Sequence, residues 1–139
     1  MRESLSRARL LMLALAATLA LVVTASSALA NSATTSANGL SVTASLSPDT
    51  VKKSDQVSQL ASVQNTTRAA EHVIIAISGP LATAAPQTFV VTLAPGESFS
   101  KAINFPASLL NPGTHTLRVI ALNRDTQATT SATASVDVQ

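Results

Sequence analysis

The 139-residue chain has no cysteine, no tryptophan and no tyrosine. Without cysteine there is no disulfide, no thiolate metal site, no thiol nucleophile and no residue to carry a lipid after export. Three phenylalanines are the whole aromatic content. Stacking platforms for sugars and aromatic grooves for polyproline segments therefore have nothing to be built from. Tight protein interfaces favour Trp, Tyr and Arg, and of these only Arg68, Arg118 and Arg124 stand beyond the first thirty residues. Charge is sparse as well, at 12% of residues.

The catalytic residue types are equally thin. The six acids after residue 30 (Asp49, Asp55, Glu71, Glu97, Asp125 and Asp137) are scattered, with no carboxylate pair set for acid–base work. Ser98, in Gly96-Glu97-Ser98-Phe99, lacks the second glycine and the strand-to-helix turn of a nucleophile elbow. His72 and His115 are the only imidazoles. No catalytic, cofactor-binding or metal-ligating residue is expected, and no enzyme activity.

What is present begins with the first thirty residues. Arg2, Arg7 and Arg9 precede an apolar run from Leu10 to Ala25, and Ala28-Leu29-Ala30 follows. A basic start, an apolar middle and small residues at −3 and −1 predict a signal peptide over residues 1–30. The cut falls between Ala30 and Asn31, with Ala28 at −3. A retained anchor is the rival reading: the run of 16 residues is short of the roughly 20 that span a bilayer, but residues 26–30 extend it. The protein is expected to be exported, periplasmic or secreted, and to touch a membrane only through an uncleaved leader.

That leader also owns the formal charge of +2, since Arg2, Arg7 and Arg9 stand against Glu3 alone. Lys52, Lys53, Lys101, Arg68, Arg118 and Arg124 then balance the six acids. A neutral exported chain has no electrostatic footprint for nucleic acid, so no nucleic-acid partner is expected.

Asn31 to Gly39 is rich in Ser, Thr and Ala without apolar periodicity, and reads as a disordered spacer. Period-2 alternation starts at Leu40: Leu40, Val42, Ala44 and Leu46 against Ser41, Thr43, Ser45 and Ser47. Such alternation marks a half-buried strand. Six more strands follow. The second, Gln56 to Gln64, points Val57, Ala61 and Val63 inward, with Leu60 off the pattern and suggesting a bulge. The third, His72 to Ser78, is apolar on both faces, as a central strand would be. The fourth points Phe89, Val91 and Leu93 inward. The fifth carries Phe99, Ile103 and Phe105 on one face, with Lys101 as an awkward member. The sixth runs Thr114 to Leu122 and the seventh Thr130 to Val138. Pro-Gly and Asn-Pro-Gly turns separate them, and Leu109-Leu110 suggests one helical turn. Residues 40–139 are thus expected to form one domain, a seven-stranded antiparallel Ig-like β-sandwich. In that topology the third and sixth strands are antiparallel neighbours. His72 and His115 then sit at opposite ends, on the order of 20 Å apart.

Three phrases carry a family resemblance: Ser62-Val63-Gln64-Asn65-Thr66, Leu93-Ala94-Pro95-Gly96-Glu97-Ser98, and Asn111-Pro112-Gly113-Thr114-His115-Thr116-Leu117-Arg118-Val119. They resemble the Ig-like modules of bacterial secreted proteins, the CARDB-type (cell-adhesion-related) and fibronectin-III-like group. In that group a Val-x-Asn step ends the second strand, an L-x-P-G-E/Q-S turn joins two later strands, and P-G-T-Y-T-L opens the sixth. The resemblance covers about Leu40 to Val138 and implies adhesion, spacing or ligand presentation without shared catalytic residues. The chain departs at His115, where the group often has Tyr. A tyrosine there locks the corner by bonding upstream backbone, and imidazole is shorter.

The function expected from this is a non-catalytic exported module for interaction or adhesion in the bacterial envelope or outside the cell. Its partner, an unspecified envelope or extracellular protein, is expected to pair with an exposed strand edge. The first and last strands are the candidate edges, with Val42, Ala44, Ala134 and Val136 as their central residues. The alternative is a self-associating structural subunit using the arm Asn31–Asn38 or the first strand.

Overall fold

The strict apolar alternation from Leu40 onward is what two facing sheets require, and two sheets are what form. A computed structural model describes residues 31–81 and 86–139. Its strands are β1 (Ser32–Ala37), β2 (Leu40–Ser47), β3 (Thr50–Val51), β4 (Gln56–Asn65), β5 (Glu71–Ser78), β6 (Gln87–Leu93), β7 (Ser98–Pro106), β8 (Gly113–Asn123) and β9 (Ala128–Val138). A 3-10 turn, Ala107–Leu109, links β7 to β8 and is the helical turn suggested by Leu109-Leu110. One sheet has the order β1-β2-β4-β7 and the other β3-β9-β8-β5-β6. Every pairing is antiparallel except the short β3–β9 ladder.

The core is the set of inward residues that the alternation marks. Leu40, Val42, Ala44 and Leu46 of β2, Val57, Ala61 and Val63 of β4, and Leu117, Val119 and Ala121 of β8 are all buried. β5 adds Val73, Ile75 and Ile77, and β9 adds Ala132, Ala134, Val136 and Val138. Phe105 is the one buried aromatic. Aliphatic burial at about 25 cal/mol per Å² supplies the driving force, with no disulfide to share it.

Two further strands depart from the seven expected. Residues 32–37 are not a spacer but strand β1, paired along its length with β2. Asn38 and Gly39, both at positive φ, make the two-residue turn between Ala37 and Leu40. An Asn-Gly pair is the preferred chemistry of such hairpin turns. The strand lacks alternation because it lies at a sheet edge, where most of its Ser, Thr and Ala side chains meet water. β3 is only two residues long and below what periodicity can reveal.

Leu60 marks no bulge: the registers β2–β4 and β4–β7 run through it unbroken. It lies on the outer face of its sheet, 37% exposed. On β7, Phe99, Lys101, Ile103 and Phe105 do share the inner face, opposite Val63, Ala61, Gln59 and Val57. Ile103 nevertheless stays 45% exposed, because this edge strand lies at the mouth of the sandwich. Lys101 is accommodated by placing its Nζ over the Phe89 ring, 5.3 Å from the centroid, a cation–π contact. Phe89 and Phe99 pack across the same mouth, with centroids 5.0 Å apart.

Candidate interaction surfaces

The strand directions define two poles. The upper pole carries the β1–β2, β4–β5, β6–β7 and β8–β9 turns; the lower pole carries Asn31, Gln139 and the remaining connections. Charge follows this division. Arg68, Glu71, Glu97, Arg124 and Asp125 lie in or beside the upper turns, and Asp49, Lys52, Lys53, Asp55 and Asp137 at the lower pole. Only Lys101 and Arg118 stand along the strands. The flanks are thus nearly free of charge.

A polar network organises the upper pole. Asn65 ends β4 fully buried. Its Nδ2 donates to the carbonyls of Ala69 (2.7 Å) and Leu93 (2.9 Å), the second on the opposite sheet. Its Oδ1 accepts the Thr67 N–H at 2.8 Å, with Thr67 Oγ1 2.7 Å away. Asn123, equally buried, donates to the Asn38 carbonyl (3.2 Å) and accepts the Asp125 N–H (3.0 Å). Asn38 in turn donates to Thr129 O, and Thr130 Oγ1 to Ala37 O. These bonds tie the β1–β2 turn to both sheets. Buried amides with every group paired rigidify such a junction. Asn123 and Asn38 escape periodicity analysis, since a buried amide at a strand end looks like any turn residue.

The His72 and Asp125 side chains meet at this pole on the surface, Nδ1 to Oδ1 3.1 Å. The His72 backbone N–H also donates to Asp125 Oδ2 at 3.0 Å. That bond, first among the causes, holds the Asp125 carboxyl below its ordinary range, assisted by the side-chain contact with His72. His115 sits at the lower pole, at the start of β8. As the topology predicts, β5 and β8 are antiparallel neighbours and the two imidazoles lie at opposite ends. Among the described residues no group of three His, Asp or Glu side chains is placed to hold a metal ion.

The edge residues expected from sequence are placed otherwise. Val42 and Ala44 belong to β2, an interior strand between β1 and β4, and both are fully buried. Ala134 and Val136 lie on β9, fully buried as well. β9 is covered at its lower end by β3. The Asp137 N–H donates to Asp49 O on that side, so by strand alternation the backbone groups of Ala134 and Val136 point toward β8. All four residues are core and none can meet a partner. The arm Asn31–Asn38 is already engaged with β2. Of the cleavage residues, Ala28 and Ala30 lie outside the described residues; the Asn31 carbonyl accepts the Leu46 N–H at 2.6 Å.

Among the described residues, the open edges longer than the two-residue β3 are β1, β6, β7 and the middle of β9. Three of them are blunted or offer little. β7 carries an inward-pointing lysine and ends at Pro106, both recognised guards against edge pairing. β9 is held by β3 below and by the Asn38 and Thr130 bonds above. β1 offers only Ser, Thr and Ala. β6, Gln87-Thr88-Phe89-Val90-Val91-Thr92-Leu93, has no charge and no proline, and Val90 at its centre is 66% exposed. Beside it on the outer sheet face Ile74 pairs with Val90 and Leu122 with Ile74. Ile120 adjoins this row, making an apolar strip across three strands.

No protein-family model and no curated relative matches the chain. Solved structures do. It is similar to the CARDB domain of a Pyrococcus furiosus protein, solved in complex with di-metal ions, at 14% identity and a TM-score of 0.53, over 77% of this chain and 95% of that one. It is also similar to the FixG-related protein from Vibrio parahaemolyticus, at 14% identity and a TM-score of 0.50, over 74% of this chain and 99% of that one. A chain of the complex between Zinc 2-glycoprotein and prolactin inducible protein from human seminal plasma matches at 15% and 0.50, over 70% of this chain and 93% of that one. These likenesses show the fold, an Ig-like β-sandwich of the kind seen in that CARDB domain.

Proposed function

We propose that the protein is an exported, non-catalytic interaction or adhesion-type module of a bacterial envelope or extracellular assembly, and that it holds a protein partner along a sheet edge. One observation carries the reading. β6 is a seven-residue strand with one side unpaired among the described residues, no charged residue of its own, and an aliphatic side chain 66% exposed at its centre. Unpaired strand N–H and C=O groups bind another strand without needing aromatic hot spots, which suits a chain with so few aromatics. The signal-peptide pattern of residues 1–30 supplies the compartment.

The test is affinity capture from the native envelope fraction and culture medium, using wild type and Val90→Lys. Retention of a specific protein by the wild type, lost in the variant, supports the reading. Equal retention by both forms would sink it, as would a wild type that neither retains a partner nor self-associates in a Val90-dependent way.

A further inference from the structure

The sequence of the open edge says what kind of strand it accepts. Read from the centre outward, Thr88-Phe89-Val90-Val91-Thr92 is nearly palindromic. When two antiparallel copies pair about a two-fold axis at Val90, each residue meets its mirror position. Val90 faces Val90, Phe89 faces Val91, and Thr88 faces Thr92. Residues of like parity share a face, so Phe89 and Val91 stay on the inner side and Thr88, Val90 and Thr92 on the outer. Aromatic–aliphatic and Thr–Thr cross-strand pairs are favourable ones. No residue of β6 is charged, so no like charges stand directly opposite one another in the strand pairing; the nearest charge is Lys101, over the Phe89 ring of its own copy. A two-fold contact demands a self-complementary patch, and this edge is one.

We infer that the strand taken up by β6 is β6 of a second copy, joining two five-stranded sheets into one continuous ten-stranded sheet. The inference rests on the reading of this edge as the interaction surface and names its partner. The joint also makes the two apolar strips continuous, bringing Ile74 of each copy close to the shared Val90 pair. A strand-to-strand joint is small beside the roughly 1,600 Å² of a standard interface. The dimer is therefore weak and concentration-dependent.

The experiment is sedimentation equilibrium on the purified full chain and its variants, with the recovered N-terminus sequenced and folding checked by far-UV circular dichroism. Wild type is expected to dimerise reversibly. Val90→Lys and Val90→Glu should each weaken self-association by ~10-fold or more, because like charges are set directly opposite. Mixing the two variants should restore a heterodimer, since only this register puts position 90 against itself. Leu109→Lys, at a residue 61% exposed near the lower pole, should leave dimerisation unchanged. A wild type that stays monomeric at its highest soluble concentration overturns the inference. So does a Val90→Lys variant that dimerises as before, or a mixture that stays monomeric. A monomeric wild type that still captures an envelope protein in a Val90-dependent way removes only the self-pairing and leaves the edge reading intact.

Discussion

His115 Nε2 donates to the backbone carbonyl of Asn111, 2.6 Å away and four residues upstream. A carbonyl can only accept, so Nε2 is the nitrogen that carries a proton in this bond. This is the corner lock that a tyrosine hydroxyl makes elsewhere in sandwiches of this type. The imidazole, though shorter, reaches because its acceptor is the carbonyl just before Pro112-Gly113. His115→Phe keeps a ring and removes the donor. It should lower stability by about 0.5–1 kcal/mol, read as a fall in the midpoint of urea unfolding monitored by circular dichroism. An unchanged midpoint would show the bond to be energetically silent.

Gly39 should resist any side chain. Its φ is +78°, and a Cβ there would lie 2.5 Å from Thr67 Cγ2. Gly39→Ala combines left-handed strain with a clash against a loop that Asn65 holds in place. A loss of about 1–3 kcal/mol is expected, whereas Gly96→Ala, at a similar φ but with nothing within 4 Å, should cost less. Equal losses at the two sites would locate the cost in φ alone.

Asn65 heads an Asn-Thr-Thr sequon, yet it is fully buried and both its amide hydrogens are in use. A glycan at Asn65 is incompatible with this packing, so in a glycosylating host the folded fraction should have the intact mass of the unglycosylated chain, and any chain modified at Asn65 should fail to fold. Asn65→Ala leaves the Leu93 and Ala69 carbonyls without this donor. A destabilisation of about 2–3 kcal/mol follows from burying polar groups unpaired.

Asp125 gives the acid limb a definite sign. Its folded carboxyl titrates below its ordinary value, chiefly because it accepts the His72 N–H. A depressed folded value adds stability above the unfolded value, and that stability is lost as pH falls through the folded one. Thermal midpoints measured from pH 7 down to pH 2 should drop less steeply in Asp125→Asn than in wild type, with the difference opening below about pH 4. Parallel curves would show that Asp125 takes no part in acid unfolding.

The parts of this fold legible in sequence are those with strict alternation. Leu40–Leu46 and Thr130–Val138 reveal their inward residues because both flank the core, where period 2 separates buried from solvated positions. The same alternation misleads about edges. It says which face is buried and nothing about which strand lies outermost, so Val42 and Val136 were expected at edges when one is interior and both are core. β1 is hidden for the converse reason. At the rim neither face needs apolar residues, and only the Asn38-Gly39 turn betrays a hairpin. The β6 edge is hidden for the same reason: alternation puts Phe89, Val91 and Leu93 inward and Val90 outward, but it does not say that β6 is outermost or that Val90 stands beside Ile74.

The partition of charge between poles and flanks bears on how fast two molecules meet. Attractive steering raises association rates when opposite charges face one another during approach. Two copies closing flank to flank meet with no such attraction, and each brings Lys101 to the approaching side. Their encounter is therefore slowed slightly by repulsion, which added salt relieves as the screening length shrinks to about 8 Å at physiological ionic strength. Association across this flank should quicken on raising salt from low concentration, the reverse of the behaviour of complexes drawn together by complementary charge.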